Sequence, residues 1–467
     1  MPSNSAEVAV LYTTGLTQLR AGDAAEAVAT LRHVLNRDPS HTGARRNLVR
    51  ALMAAGEHDA VIIETTAGLR DAPESGEMHF LRGTAFNALS RPLDACEALT
   101  ASITIDPNFA PAWLNLGNAR MDLDQVTEAE THCRRALTID PDLIEAKVSL
   151  GFVLTAQGRL AEGIQVLEAA IQTNPGHVQA HWNLAAATLL AGDLPRGCAE
   201  YEWRKRHDLF RRDFINLPGP IWNGDDPAGR TILVHAEQGL GDTIQFARYL
   251  PLIARRGGTP ILACEPSLIR LLSTIENVQV VSKFEALPRY DAWIDQMSLP
   301  HVFGTTLNTI PSPAGYLPAA HRDNLSPTRR IGLVWAGNPL HRNDRRRTPP
   351  EHAFGPLLDL HDCHFVSLTP GRTLPGTRDP VRNLSDYADT AALIAALDLV
   401  ITVDTSVAHV AGALGRPAWV LLPYAPDWRW LLNRNDSPWY NSLRLFRQPS
   451  PGDWGSVIAN VIAALAG

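Results

Sequence analysis

Asp404, Thr405 and Ser406 stand between two apolar stretches of different kind. Before them, Leu399, Val400, Ile401, Thr402 and Val403 form a β-branched run with the character of a buried strand. After them, Val407 to Leu414 reads as an apolar helix carrying His409 and closed by Gly415 and Pro417. Ala418 to Leu422 then reads as the next strand. Small polar residues at the carboxyl end of a parallel strand, opening a helix, lie where α/β sheets bind ligands. The N–H groups and dipole of that helix start favour an anion such as phosphate. The same residues also suit a plain capped crossover that binds nothing, since Thr405 and Ser406 are good N-caps in either case.

Two further clusters could act with this one. Glu237, Gln238, Gly239, Leu240, Gly241 and Asp242 follow a strand pattern, Thr231 to His235, and open a helix pattern that starts at Thr243. Glycines there allow a backbone approach that a Cβ would block. Asp242 is either a helix cap or a base facing a cleft, and His235 and Glu237 on the same turn are runner-up bases. The third cluster follows the strand pattern Arg330 to Ala336: Trp335, Gly337, Asn338 and Asn343 lie beside Arg342, Arg345, Arg346 and Arg347. Arginine offers a planar donor fork that suits phosphate oxygens.

The elements that must position these clusters follow from length and period. At 467 residues the chain exceeds what a single core supports. Pro39, Pro73, Pro107, Pro141 and Pro175 recur every 34 residues, the spacing of paired-helix tetratricopeptide repeats. Gly15, Gly83, Gly117 and Gly151 keep the same phase, as do Gly22, Gly56, Gly158 and Gly192. Five full repeats and a sixth, degenerate one are expected, with a capping helix over Tyr201–Arg212. The segment 42–75 fits the pattern least well. Asn47, Asn115 and Asn183 share one repeat position and could form a ladder to a peptide backbone, or stand as solvated amides. Beyond the repeats, strand and helix patterns alternate in two blocks, which predicts two Rossmann-like domains. The expected layout is a solenoid with its capping helix over 1–212, then Rossmann-like domains over 213–325 and 326–467 facing a cleft.

Composition narrows the function classes. A net charge of −7 argues against a nucleic-acid-binding surface spread over the protein. The five cysteines form no CxxC pair, so neither a zinc site nor a disulfide framework is implied. No run of apolar residues is long enough to span a membrane, and no secretory leader is evident, so a cytoplasmic protein is expected.

The Gln238–Asp242 turn and the run from Val403 to Pro417 together resemble the heptosyltransferase-like glycosyltransferases of family 9. With the repeats, the chain resembles bacterial tetratricopeptide-fused transferases, similar in layout to O-linked N-acetylglucosamine transferases and flagellin glycosyltransferases. The resemblance implies a GT-B fold, with 213–325 on the acceptor side and 326–467 binding the nucleotide sugar, in an inverting transferase using a nucleotide-sugar donor, no cofactor and no metal. Asp242 would be the catalytic base, with Gly239 and Gly241 shaping its turn. Asp404, Thr405, Ser406 and His409 would hold the diphosphate, and Trp335, Gly337 and Asn338 would line the cleft. The family's lysine, three residues before a proline, corresponds to Arg347 ahead of Pro350, which keeps the charge and changes its shape. The acceptor would be a Ser or Thr hydroxyl of a protein held by the repeats, flagellin being one candidate. An inert scaffold and a transferase acting on a glycan are the alternatives. Sugar, nucleotide and acceptor identity and oligomeric state are not legible.

Overall fold

The computed structural model describes residues 4–208, 217–312, 314–318, 329–339, 343–369, 372–378 and 384–466. The expected domain joints after 212 and 325, and Arg342, lie outside the described residues. The chain forms two compact units that divide between Ala180 and His181. The sixth repeat thus folds with the α/β part.

The first unit is five helix pairs: Asn4–Ala21 with Ala24–Arg37, Thr42–Ala55 with His58–Asp71, Gly76–Ala88 with Pro92–Ile105, Ala110–Asp122 with Val126–Ile139, and Ile144–Ala156 with Leu160–Thr173. The 34-residue phase has a steric origin. A Cβ on Gly15, Gly83 or Gly151 would fall 2.8, 2.5 or 2.4 Å from the Cγ of Leu31, Leu99 or Leu167 on the paired helix. In the second repeat the volumes are exchanged. Val49 replaces the glycine and the small Thr65 replaces the leucine, both fully buried, with the Thr65 hydroxyl returned to Val61 O at 2.7 Å. That exchange explains why segment 42–75 fits the pattern poorly while packing normally. The turn inside each repeat needs a left-handed residue. Gly22, Gly56 and Gly158 supply it, and Ser90 and Asp124 adopt positive φ at the same phase.

The asparagines of the expected ladder bond within the array. Asn47 is buried, and its amide donates to the Tyr12 hydroxyl at 3.0 Å and to Gly43 O at 2.9 Å. Asn115 likewise donates to Thr84 Oγ1 at 2.9 Å, and Asn183, in the second unit, is buried. The first two amides tie the first helix of one repeat to that of the repeat before it.

In the second unit the helix Leu194–Tyr201 follows Val178–Leu190 and ends in a 3-10 turn, Glu202–Arg206, where a continuous amphipathic helix to Arg212 was expected. Two all-parallel sheets follow. Strands β1 (Thr231–His235), β2 (Thr259–Cys264), β3 (Gln279–Ser282) and β4 (Ala292–Asp295) lie in the order β3-β2-β1-β4. Strands β5 (Arg329–Val334), β6 (Cys363–Ser367), β7 (Leu399–Val403), β8 (Ala418–Leu422) and β9 (Leu443–Arg447) lie in the order β6-β5-β7-β8-β9. Each sheet is wound in both directions, so each has a switch point: between β1 and β4, and between β5 and β7. Crevices at the carboxyl ends of such strands are where open α/β sheets place ligands. The solenoid and the paired parallel sheets agree with the expected fold class and are consistent with a GT-B fold.

The second sheet's core joins Ile331, Leu333, Trp335, Ile401 and Val403 to one face of the helix Trp454–Ala466, through Trp454, Val457, Ile458, Val461 and Leu465. Their spacing of three and four residues is what puts them on one stripe. Burying each such aliphatic side chain contributes about 1.5–3 kcal/mol. Trp335 belongs wholly to this core: its indole is fully buried. It does not line a cleft with its side chain, contrary to expectation, because the strand direction turns it into the layer between sheet and helix.

Candidate active site

The turn after β1 leads into the helix Leu240–Phe246. Asp242 caps that helix, its Oδ2 accepting the Gly239 N–H at 2.9 Å, and its Oδ1 accepts from Arg429. Arg429 lies on the 3-10 turn Trp428–Trp430 and is buried. Its other nitrogens donate to Gln245 Oε1 at 2.6 Å and Asp427 Oδ1 at 2.8 Å, and its guanidinium stacks on Trp428 with 4.5 Å to the ring centre. The carboxylates of Asp427 and Asp242 hold Arg429 in its charged form against the cost of burial. Asp242 therefore works as cap and ion-pair partner at once. Half-buried, it keeps part of its carboxylate at the surface.

The turn after β7 leads into the helix Ser406–Ala413, with Thr405 at its N-cap. The Thr405 hydroxyl meets Thr402 Oγ1 at 3.1 Å, and the Ser406 hydroxyl meets the Tyr387 hydroxyl at 2.7 Å. The first N–H groups of any helix have no intrahelical acceptor, so this end is electropositive. Arg347 closes the site from the β5 side. Its Nη1 donates to Asp404 O at 2.9 Å and its Nε to Asp344 Oδ1 at 3.0 Å. Gly337 makes room for it: a Cβ there would stand 2.3 Å from Arg347 Nη2 and 2.7 Å from Asp344 Oδ1. Asn338 is exposed on the same loop.

The two turns meet. A Cβ on Gly241 would lie 2.9 Å from His409 Cδ2 and 3.3 Å from Ser406 Cα, so glycine is what lets the helices touch. Arg347 thus borders one turn at the main-chain oxygen of Asp404, and Arg429, held by Asp427, pairs with Asp242 on the other.

His409 departs from its expected role. It is buried, its Nδ1 meets the Tyr440 hydroxyl at 3.0 Å, and its ring stacks on Trp430 with centroids 5.7 Å apart. Burial, reinforced by Arg429 and Arg248, pushes its pKa well down. It is a neutral wedge between the helices and adds no cationic donor for a phosphate. The runner-up bases are also removed from solvent. Glu237 is buried in a two-pronged pair with Arg204, at 3.0 and 2.6 Å, and His235 is buried 3.6 Å from Asp295. Arg204 comes from the basic run after Tyr201, which therefore does not form a fully solvated face.

Sequence reading passed over Arg429, Asp427 and Tyr387. The first two could have been found in the Asp-Trp-Arg-Trp run, where an aspartate opens a turn and an arginine sits between two tryptophans.

Burial, with Asp427 next in weight, pushes the Asp404 carboxyl up to about 6. The folded chain then keeps a proton that the unfolded chain has released, across the window from about pH 4 to 6. Stability accordingly falls as pH rises through that window and is flat above it. Asp404→Asn should raise the melting point at pH 7.5, by the equivalent of on the order of 1–3 kcal/mol. The gain should shrink towards pH 4.5, as thermal denaturation at the two pH values would record.

Residues 385–429 match glycosyltransferase family 9 (heptosyltransferase), a stretch that holds Tyr387, Asp404, Ser406, Asp427 and Arg429. Residues 18–83, 110–143 and 152–202 match tetratricopeptide repeats. Protein FlbA of Caulobacter vibrioides is 28% identical over 426 residues, covering 82% of this chain and 71% of that protein. Among solved structures, MamA of Desulfovibrio magneticus is 17% identical with a TM-score of 0.35, covering 38% of this chain and 98% of that one. A thermophilic tetratricopeptide protein of Thermus thermophilus is 20% identical with a TM-score of 0.34, covering 39% and 99%.

Proposed function

Because the chain joins tetratricopeptide repeats to a heptosyltransferase-like glycosyltransferase region, we propose that it moves a sugar from a nucleoside diphosphate sugar to a Ser or Thr hydroxyl of a protein gathered by the repeats. The observation that carries this reading is the contact of the two turns at Gly241, which sets the Asp242–Arg429 pair beside the helix start that Arg347 borders. A donor would lie with its diphosphate against Arg347 and the first turn of Ser406–Ala413. Asp242 takes the proton of the acceptor hydroxyl as that oxygen bonds to the anomeric carbon. The bond from that carbon to the diphosphate breaks on the opposite face, which inverts the anomeric configuration. Arg347 and the helix end receive the departing negative charge, so the scheme needs no cation. The repeats supply the protein acceptor, since stacked helix pairs present an extended binding surface. Among the described residues no helix is long and apolar enough to cross a membrane.

A ligand that binds only the folded chain raises its melting point, by about 2.7 kcal/mol of added stability at a hundred times its Kd. Thermal-shift measurements with uridine, guanosine, adenosine and cytidine diphosphates should show one clear stabiliser. No shift with any of the four at millimolar concentration would reject the donor site.

A further inference from the structure

The end of the repeat array is built into the wall of the candidate site. The Tyr201 hydroxyl, on the last residue of Leu194–Tyr201, donates to Gln238 Oε1 at 3.1 Å. Three residues on, Arg204 grips Glu237 through Nε and Nη2, and its Nη2 also donates to Ser298 Oγ at 2.9 Å. Glu237 Oε1 further accepts the Met297 N–H at 3.0 Å, and Glu202 accepts from Arg204 Nη1 at 2.7 Å. The Arg204 and Glu237 side chains are wholly enclosed. Glu237 and Gln238 are the two residues before Gly239, where the Asp242 helix begins. Gln238 has φ +64°, a left-handed conformation that costs a residue with a Cβ and persists only when its surroundings enforce it. Tyr201 also packs near Trp428, the neighbour of Arg429, with ring centres 6.4 Å apart.

We infer that Tyr201 and Arg204 are positioning residues for the glycine turn, so that the last repeat fixes where Asp242 stands. This rests on the reading of Asp242 as the base in sugar transfer. The pair grips both residues that set the start of the helix. The left-handed Gln238 gives that grip something to hold: released, the residue relaxes towards ordinary backbone and carries Gly239 with it. A bidentate guanidinium has the directional hold a turn needs, which an ammonium lacks.

The test uses the full chain with Tyr201→Phe, which removes one oxygen, and Arg204→Lys, which keeps the charge and loses the fork. Amide hydrogen exchange over residues 236–246 should quicken by about 10-fold or more in both variants, with the helix Trp454–Ala466, which packs on the second sheet, unchanged. The kcat for transfer from a nucleoside diphosphate sugar should fall roughly 10- to 100-fold, as small misplacements of a reacting group do. The donor KM should stay within about twofold, because the diphosphate grip is elsewhere. Unchanged exchange over 236–246 in both variants overturns the inference, and so does quickened exchange with wild-type kcat. A wild-type chain that turns over no nucleoside diphosphate sugar overturns the sugar-transfer reading instead, and the exchange result still decides whether the grip holds the turn.

Discussion

Asp242→Asn should abolish sugar transfer while leaving nucleoside diphosphate affinity almost intact. The substitution keeps the size of the side chain and an oxygen able to accept the Gly239 N–H, now at 2.9 Å, so the helix start survives. It removes the negative charge and the capacity to take a proton. A positioned general base contributes roughly 10²–10⁴ in rate, and kcat should fall by that factor. Arg429 loses one of its two carboxylate partners but retains Asp427 and Gln245, so the chain should stay folded with a modestly lowered melting point. A pure ion-pair role for Asp242 predicts the lowered melting point without the loss of rate. Single-turnover kinetics beside isothermal calorimetry with the nucleoside diphosphate separate the two. Turnover at the wild-type rate would remove Asp242 from the chemistry.

Arg429 also marks the boundary of what the sequence discloses. Local regularities were readable: the 34-residue period, the strand and helix patterns around Asp404, and the glycine turn before Asp242. Each is a property of neighbouring residues, governed by steric volume or by the alternation of apolar side chains. Strand β9 and the helix Tyr387–Ala395 were less legible. The first is short, with Arg444 pointing outwards amid apolar neighbours; the second starts earlier than its apolar pattern, because Asp386 caps it through the Ala388 and Asp389 N–H groups. The partners of the site residues were not readable at all. Arg429 reaches Asp242 across 187 positions, and Arg204 reaches Glu237 across 33. The composition of either segment alone gives no sign of the pairing, since a buried arginine and a solvated one look alike in sequence. The same limit applies to Trp335 and His409, whose types suit a ligand site and whose burial assigns them to packing.

Gly337→Ala should weaken nucleoside diphosphate binding, by less than Arg347→Ala does, although it touches no charge. The added methyl would overlap the space of the Arg347 guanidinium, 2.3 Å from Nη2, and of Asp344 Oδ1, 2.7 Å away. Real Cβ atoms do not approach so closely, so the guanidinium must swing aside, which pulls Nη1 out of line with Asp404 O. Arg347→Ala removes every bond the guanidinium would make to the diphosphate, each worth about 1.5–3 kcal/mol, or roughly a 10- to 100-fold loss of affinity. Arg347→Lys should recover part of that loss, because the charge returns without the planar fork that reaches two oxygens. Asp242→Asn should do none of this. The contrast assigns binding to the β5 and β7 turns and chemistry to the β1 turn. If Gly337→Ala bound the nucleotide with wild-type affinity while Arg347→Ala did not, the guanidinium would have a second way to the phosphates and the steric account would fail. If both variants bound normally, the diphosphate would not lie at Arg347 at all, and the leaving group would have to be met by the first turn of Ser406–Ala413 alone.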